Sequence, residues 1–312
     1  MTRQHHPHPA PAEHVLATIS DSDFAQLTSL LRERTGIFLP PGKKPLLAAR
    51  LLDRMRALGL TSYADYHRRV LADGTGELSR MTDAICTNET RFFRDAEQLD
   101  FIEKTLIPGW LAEPAPSDGT RRIRVWSAGC SSGEEAFSVA MVLLAKLPER
   151  GFSVEVLGTD ISTVALDRAR TARWPAARVT EIPEPYRQRF LVLDPRTGEY
   201  EPARELRNVV RFQRLNLWDW YYPATGKFDL VLCRNVLIYF DAETRAAVAR
   251  RLVERLAPKG ALVLGMSESL LAIRDKDLRT HGAEQELAPG LPPVKMVGPA
   301  VYTFSKPKKK RF

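Results

Sequence analysis

The spacing of apolar residues changes once along the chain. From Asp21 onward they recur every three or four positions, the pattern of helices that bury one face. Leu47, Leu51, Met55 and Leu58 lie on one such face, which Gly59 ends, and segments 62–72 and 76–86 continue the pattern. We predict a small N-terminal helical domain over residues 21–112.

A Pro- and Gly-rich stretch, "EPAPSDGTR" at 113–121, predicts a linker. Beyond it, short β-forming runs alternate with helical segments, which predicts a doubly wound α/β domain over 122–305, with a parallel sheet covered on both faces. Residues 186–206, around the turn "DPRTGEY", predict a small antiparallel β insertion. The predicted strands are 122–128, 153–159, 208–214, 227–233 and 260–266, and the helices are 134–147, 162–172 and 241–257.

Composition adds limits to this picture. The 312 residues are 44% apolar, enough for a proper core, and no run approaches the ~20 apolar residues of a spanning helix. The formal charge is +8, but five positive charges lie in the tail at 306–312, which we interpret as a solvated extension. We therefore expect no nucleic-acid partner; loss of nucleic-acid binding on deleting the tail would support the alternative.

The N-terminus and the cysteines carry no clear chemistry. Residues 1–20 contain histidines broken by prolines and lack a signal peptide's apolar middle, so we predict a flexible leader. The three cysteines form no CxxC pair, which predicts free thiols and no metal site. Together these features predict a cytoplasmic protein without membrane insertion.

The first strand-to-helix turn is the main chemical signal. "SAGCSSG" at 127–133 lets the backbone approach a ligand closely, and Glu134 and Glu135 follow it. Carboxylates there repel a diphosphate, and neither GxGxxG nor GxxxxGK[ST] is present, which disfavours NAD and ATP. The pair suits a cationic ligand, although both residues could instead only complement the helix dipole.

The second strand ends at Asp160, where an acidic residue of this architecture can hold ribose hydroxyls. A ribose, a positive charge and no diphosphate together describe S-adenosylmethionine. The alternative is that Asp160 caps the helix that begins at Ser162.

Six segments extend this interpretation to a family. "TNETRFFRD" (87–95), "RVWSAGCSSGEEAFSVA" (124–140), "GTDIS" (158–162), "LNL" (215–217), "FDLVLCRNVLIYF" (228–240) and "GMSESL" (265–270) resemble the CheR family of chemotaxis receptor methyltransferases. The resemblance runs from about Asp21 to Phe304. It implies a Rossmann-like class I methyltransferase that moves a methyl group from S-adenosylmethionine to chemoreceptor glutamates, leaving S-adenosylhomocysteine.

The same resemblance assigns site residues. Arg94 and Tyr239 match the family's residues nearest the reacting methyl, Asp160 would hold the ribose, and Asn216 with Leu217 would lie by the adenine. The residues implied to line the cofactor are Asn88, Thr90, Arg94, Glu135, Asp160, Asn216, Leu217, Arg234 and Asn235.

This residue set suits methyl transfer to a carboxylate. A glutamate with a pKa near ~4.3 is already ionised at neutral pH and needs no general base, so the enzyme's task is positioning. Arginine can hold a carboxylate by both oxygens, and a tyrosine hydroxyl can orient one.

For substrate docking, Lys43, Arg50 and Arg54 form a basic stripe on the second helix that suits the acidic helices of chemoreceptors. We expect a monomer. Three alternatives remain open: the same fold acting on another signalling protein, the same fold acting on a small molecule, and a non-catalytic scaffold that senses the cofactor.

Overall fold

The computed structural model describes residues 18–73, 76–222, 226–270 and 293–304. The chain divides into two compact units. The first combines the chain up to Leu31 with Leu39–Ile85, and the second combines Arg32–Phe38 with the chain from Cys86 onward. The tail at 306–312 and most of the leader lie outside the described residues, so the statements about them remain predictions.

The first unit is helical, as the apolar spacing predicts. Leu47, Leu51 and Met55 are fully buried along one face of its second helix, whereas Leu58 is only half-buried because that helix ends at Ala57. The helices are α1 (Asp21–Thr35), whose last residues belong to the second unit, α2 (Lys44–Ala57, after a 3-10 turn at Pro41–Lys43), α3 (Tyr63–Ala72) and α4 (Gly76–Ile85).

The segment after Cys86 is helical but belongs to the second unit. It contains α5 (Ala96–Phe101), a π-helical turn (Ile102–Leu106) and α6 (Ile107–Leu111). Phe92, Leu99 and Ile102 lie in the buried core of the α/β sheet. The division therefore falls after Ile85, unlike the predicted boundary at residue 112, because helical spacing reveals a buried face but not the core that the face enters.

The second unit contains a seven-stranded sheet and a three-stranded sheet among the described residues. In chain order the strands are β1 (Arg121–Ala128), β2 (Phe152–Asp160), β3 (Trp174–Pro175), β4 (Leu191–Asp194), β5 (Glu199–Pro202), β6 (Val210–Arg214), β7 (Phe228–Cys233), β8 (Leu256–Leu264), β9 (Val294–Gly298) and β10 (Val301–Phe304). The large sheet has the order β6-β2-β1-β7-β8-β10-β9. The first five strands are parallel, and β10 and β9 are each antiparallel to the strand before them in that order.

Helices cover both faces of this sheet. They are α7 (Glu134–Lys146), α8 (Thr163–Thr171), α9 (Ala176–Val179), α10 (Glu184–Phe190), α11 (Arg204–Val209) and α12 (Ala242–Glu254). Val125 of β1 lies in the core that contains α7, and its neighbour Trp126 lies in the core that contains α12. Successive strand residues point to opposite faces, so each face has its own apolar core.

Strand order reverses at β1, which has β2 on one side and β7 on the other. This switch point opens a crevice at the carboxyl ends of the strands, where such folds bind ligands. The three-stranded sheet, order β3-β5-β4, is the predicted antiparallel insertion extended by a short strand at Trp174. Among the described residues, no helix combines the length and apolar character needed to cross a membrane.

Candidate active site

The turn after β1 forms the floor of the crevice. Gly129 has φ 86°, and a Cβ there would lie 2.4 Å from Cγ2 of Val236, so only glycine fits. The backbone N–H groups of Gly129 and Cys130 donate to the carbonyl of Thr159 at 2.7 and 2.9 Å. These bonds hold the end of β1 against the end of β2.

Glu135, in the first turn of α7, faces charged and polar partners. The Ser127 hydroxyl donates to Oε1 at 2.6 Å, and Nη1 of Arg234 lies 3.3 Å from Oε2. Burial raises the pKa of the Glu135 carboxyl, and the positive charges of Arg234 and Arg94 oppose that rise. The result is a desolvated carboxylate at the edge of the crevice.

Glu134, its neighbour, is held differently. Its side chain is almost fully buried, with the Ser132 hydroxyl 2.7 Å from Oε2 and Nη2 of Arg178 3.1 Å from Oε1. The same Arg178 nitrogen donates to the carbonyl of Thr90 at 3.1 Å. Both glutamate side chains are therefore held by specific hydrogen-bond and ion-pair partners, and not by the helix dipole alone.

Arg234 connects three segments that are distant in sequence. It follows β7, is 7% exposed, and donates through Nη2 to the Arg94 carbonyl at 2.5 Å and to Oδ2 of Asp95 at 2.7 Å. Its Nη1 contacts Glu135. The predicted cofactor-binding arginine thus also anchors the loop that carries Arg94.

The backbone around Arg94 is unusual. Phe93 and Asp95, on either side of it, have φ 50° and 51°, a left-handed conformation that costs energy for residues other than glycine. The Phe93 N–H donates to the Ser138 hydroxyl at 3.0 Å, which with the Arg234 bonds holds this conformation. Arg94 is half-buried, and its Nη1 lies 3.5 Å from the Glu89 carbonyl.

The start of the same loop contacts the turns after β1 and β2. The Asn88 carbonyl accepts from the Ser131 hydroxyl at 3.1 Å, and its Nδ2 donates to Oγ of Ser162 at 3.3 Å. Asn88, Thr90 and Arg94 are therefore brought to the crevice edge that carries Glu135.

Asp160 ends β2 and is almost fully buried. The backbone N–H groups of Ser131 and Ser162 donate to Oδ2 and Oδ1 at 2.8 and 2.9 Å. Ser162 caps α8, with its hydroxyl accepting from the Ala165 N–H at 3.1 Å, so the alternative role of Asp160 as that cap is wrong.

Asn216 shapes the turn after β6. Its Nδ2 donates to the Arg34 carbonyl at 2.9 Å and to Oδ1 of Asp219 at 3.0 Å, and its Oδ1 accepts from the Trp218 N–H at 3.0 Å. Leu217 beside it is buried. The amide thus has a structural task, and contact with an adenine remains a prediction for both residues.

The turn after β7 carries Asn235 and Tyr239. Asn235 has φ 60°, and its buried Oδ1 has no hydrogen-bond partner among the described residues. Tyr239 is half-buried at the end of a 3-10 turn (Leu237–Tyr239), and its carbonyl accepts from the Phe38 N–H at 2.8 Å. The Glu268 carboxylate accepts from the Asn235 N–H at 2.8 Å.

The residues of the predicted docking stripe differ in their contacts. Arg54 binds Glu77 through two hydrogen bonds of 3.0 and 2.7 Å, so buried Glu77 neutralises its charge within the first unit. Arg50 donates to the Ala84 carbonyl at 3.2 Å, and Lys43 is exposed on the turn before α2. Docking stays a prediction for all three residues, and the ion pair with Glu77 reduces the charge that Arg54 can present to a partner.

Sequence reasoning missed two participants. Glu268 lies in the quoted segment "GMSESL", but no local pattern showed that its carboxylate reaches the turn after β7. Arg178 lies in the short helix α9, where no spacing rule links it to Glu134. In both cases the signal is a contact between segments that are distant in sequence.

The crevice has the acceptors that S-adenosylmethionine requires. Carboxylates at Glu135 and Asp160 suit an ammonium group and ribose hydroxyls, and Oδ1 of Asn235, which has no hydrogen-bond partner within the described ranges, offers a further acceptor. Such a crevice at the switch point of this sheet defines a class I S-adenosylmethionine-dependent methyltransferase.

Family models identify the particular group. Residues 88–285 match the CheR methyltransferase SAM-binding domain, and residues 22–86 match the CheR methyltransferase all-alpha domain. This chain therefore belongs to the CheR methyltransferase family.

Curated relatives resemble it along most of their length. A chemotaxis protein methyltransferase of Borreliella burgdorferi is 34% identical over 256 residues, covering 81% of this chain and 89% of the relative. Its counterpart in Vibrio parahaemolyticus is 35% identical over 263 residues, with coverages of 83% and 93%. The Escherichia coli protein is 34% identical over 258 residues, with coverages of 80% and 85%.

Proposed function

We propose that this chain transfers the methyl group of S-adenosylmethionine to glutamate side chains on the cytoplasmic helices of bacterial chemoreceptors. The products are a glutamyl methyl ester and S-adenosylhomocysteine. The observation that carries the proposal is that Arg234 binds the Glu135 carboxylate, the backbone carbonyl of Arg94 and the side-chain carboxylate of Asp95. A cationic side chain is thereby fixed beside the acidic crevice.

Each cofactor-binding residue has a task in this proposal. Asp160 would accept hydrogen bonds from ribose hydroxyls, and Glu135 would hold the amino group of the donor. Asn88, Thr90 and Asn235 line the crevice around them. When bound, the donor supplies an electrophilic methyl group on a positively charged sulfur.

Arg94 and Tyr239 would orient the accepting glutamate. The guanidinium of Arg94 binds the carboxylate, and the hydroxyl of Tyr239 directs one oxygen toward the methyl carbon. No proton has to be removed, because the accepting carboxylate is ionised at neutral pH. Catalysis then depends on alignment, which explains why the Arg94 backbone is held so tightly.

Lys43 and Arg50 would attract the acidic receptor helix before docking. We propose that the chain acts in the cytoplasm, where those helices lie, and as a monomer.

Incubation with methyl-labelled donor and receptor-bearing membranes tests the proposal. We expect the label to appear in receptor protein and to be released by mild alkali as methanol. Alkali hydrolyses a methyl ester, whereas it does not remove a methyl group from an amine or a thioether. Arg94→Lys is the informative variant, because it keeps the charge but loses the planar fork, and we expect a rate loss of roughly 100-fold. Alkali-stable label, or label found only in small molecules or another protein, would contradict the receptor assignment.

A further inference from the structure

Glu268 is a buried carboxylate outside the predicted set of site residues. It is 7% exposed and lies in the turn after β8. Its Oε2 accepts from the backbone N–H groups of Asn235 at 2.8 Å and Gly265 at 2.7 Å, and its Oε1 accepts from the Ile238 N–H at 3.1 Å. One carboxylate thus binds the turn after β7 at two points and the end of β8 at a third.

The surroundings are built to admit this side chain. The Glu268 N–H donates to the Gly265 carbonyl at 2.8 Å, which closes a tight turn. A Cβ on Gly265 would lie 2.7 Å from Oε2 of Glu268 and 2.8 Å from the Asn235 nitrogen. Position 265 therefore has no space for a side chain while the carboxylate is in place.

The turn needs such support. Asn235 is in the left-handed region at φ 60°, which is unfavourable for a residue with a Cβ. The next element is a single 3-10 turn, too short to be stable alone, and it ends at Tyr239. Ile238 in its middle donates to Oε1, so the carboxylate sets the path of the chain into Tyr239.

We infer that Glu268 is a positioning residue that fixes the turn carrying Arg234, Asn235 and Tyr239. This inference rests on the proposed function only for the role of Tyr239; the three hydrogen bonds can be tested without any methylation assay.

Glu268→Gln distinguishes the roles of the two carboxylate oxygens, because it replaces one of them with an NH₂ group. The single amide oxygen can still accept from Asn235 and Gly265, but its NH₂ group would face the Ile238 N–H, donor against donor. We expect faster hydrogen exchange at the Ile238 amide and a kcat lower by roughly 10- to 100-fold. The affinity for S-adenosylhomocysteine should change by less than about threefold, because the Asn235 bond persists.

Gly265→Ala tests the same clamp without changing a charge. Its Cβ would push Oε2 away from both N–H groups, so exchange should rise at Asn235 as well as at Ile238. The matched control is Asp229→Asn, at the opposite end of β7, where Oδ2 accepts from the Arg124 N–H at 2.9 Å. That variant should lose some stability and keep the wild-type kcat.

A double-mutant cycle distinguishes positioning from general stability. If Glu268 acts through Tyr239, Tyr239→Phe should lower kcat much less in the Glu268→Gln protein than in the wild type. The inference would be overturned if the effects of the two substitutions on kcat were additive. It would also be overturned if Glu268→Gln kept the wild-type kcat and left the Ile238 amide protected.

Exchange in the unmodified protein gives a second criterion in case the variants fail to fold. An Ile238 amide as unprotected as a solvent-exposed amide would also overturn the inference. Failure of the proposed function would give a different result: the wild-type protein would methylate no receptor, but these amides would stay protected.

Discussion

Each unit buries a glutamate carboxylate, and the two are stabilised in opposite ways. In the helical unit, Glu77 is fully buried against the guanidinium of Arg54 and the Tyr66 hydroxyl, 3.2 Å away. In the α/β unit, Glu268 accepts from three backbone N–H groups and forms no ion pair within the described part of the chain. The first arrangement joins helices through side chains, whereas the second dictates the path of the backbone at the site.

The difference distinguishes a carboxylate that stabilises from one that positions. A side-chain pair can be lost while the backbone stays in place, so its cost should appear in stability. A carboxylate bonded to the backbone, or paired with an arginine that holds the backbone, should affect the reaction as well.

Arg234→Met should have the largest effect. It removes the ion pairs of Arg234 with Asp95 and Glu135 and the bond to the Arg94 carbonyl. Breaking a buried ion pair from one side costs about 3–5 kcal/mol. We expect this loss in the free energy of unfolding by urea, and no binding of S-adenosylhomocysteine by calorimetry. If the variant were stable and bound S-adenosylhomocysteine with normal affinity, Arg234 would not be part of the cofactor site.

Arg54→Met should destabilise only the helical unit, by about 2–4 kcal/mol, because Glu77 stays buried and keeps only its longer 3.5 Å contact with Arg80. Glu77→Gln is the matched variant, and it should cost only about 1 kcal/mol, since the Arg54 side chain is 26% exposed and can reach water. Hydrogen exchange in α2 and α4 measures both losses. Equal costs, or weakened S-adenosylhomocysteine binding, would contradict this interpretation.

Acid should weaken cofactor binding through Glu135. Burial raises the pKa of this carboxyl, so it takes up a proton at higher pH than an ordinary glutamate. Binding of the ammonium group requires the ionised form, so affinity should fall by up to about tenfold per pH unit below that pKa. Protonation favours the folded state here, so acid should not destabilise the protein through this group. Calorimetry of S-adenosylhomocysteine from about pH 8 to about pH 5 measures the effect, and Glu135→Gln should abolish it.

Charge reversal at Lys43 should have the smallest effect. Lys43→Glu is expected to slow receptor methylation by about 2- to 5-fold at low salt, with the difference vanishing at high salt. Arg56→Glu, on a different face of α2, is the control and should leave the rate unchanged. Stability and cofactor affinity should be unaffected in both. An equal effect of the two substitutions would show that net charge alone matters.

Local patterns predicted much of the fold. The doubly wound α/β sheet and the helices of the first unit follow from periods of two and 3.6 residues, which depend only on near neighbours. The family models confirm the prediction of a CheR-type, S-adenosylmethionine-dependent methyltransferase. The two antiparallel strands at the sheet edge were not predicted, because β9 is short and mostly exposed and lacks a clear apolar alternation.

The residue types of the site were also available from sequence. Small residues before Glu135, an acid at the end of the second strand, and "CRNVLIYF" pointed to one crevice, and the structure brings most of these residues together there. Their roles in binding and catalysis remain predictions.

By itself, then, the sequence determined most of the elements, the class of fold and the kind of ligand, because each depends on composition or on spacing within a few residues. Only the tertiary structure decided that residues 86–112 join the α/β core, that Arg54 is bound by Glu77, and that Glu268 holds the turn leading to Tyr239. These are contacts between residues far apart in the chain, and a hydrogen bond depends on distance in space, which no local pattern records.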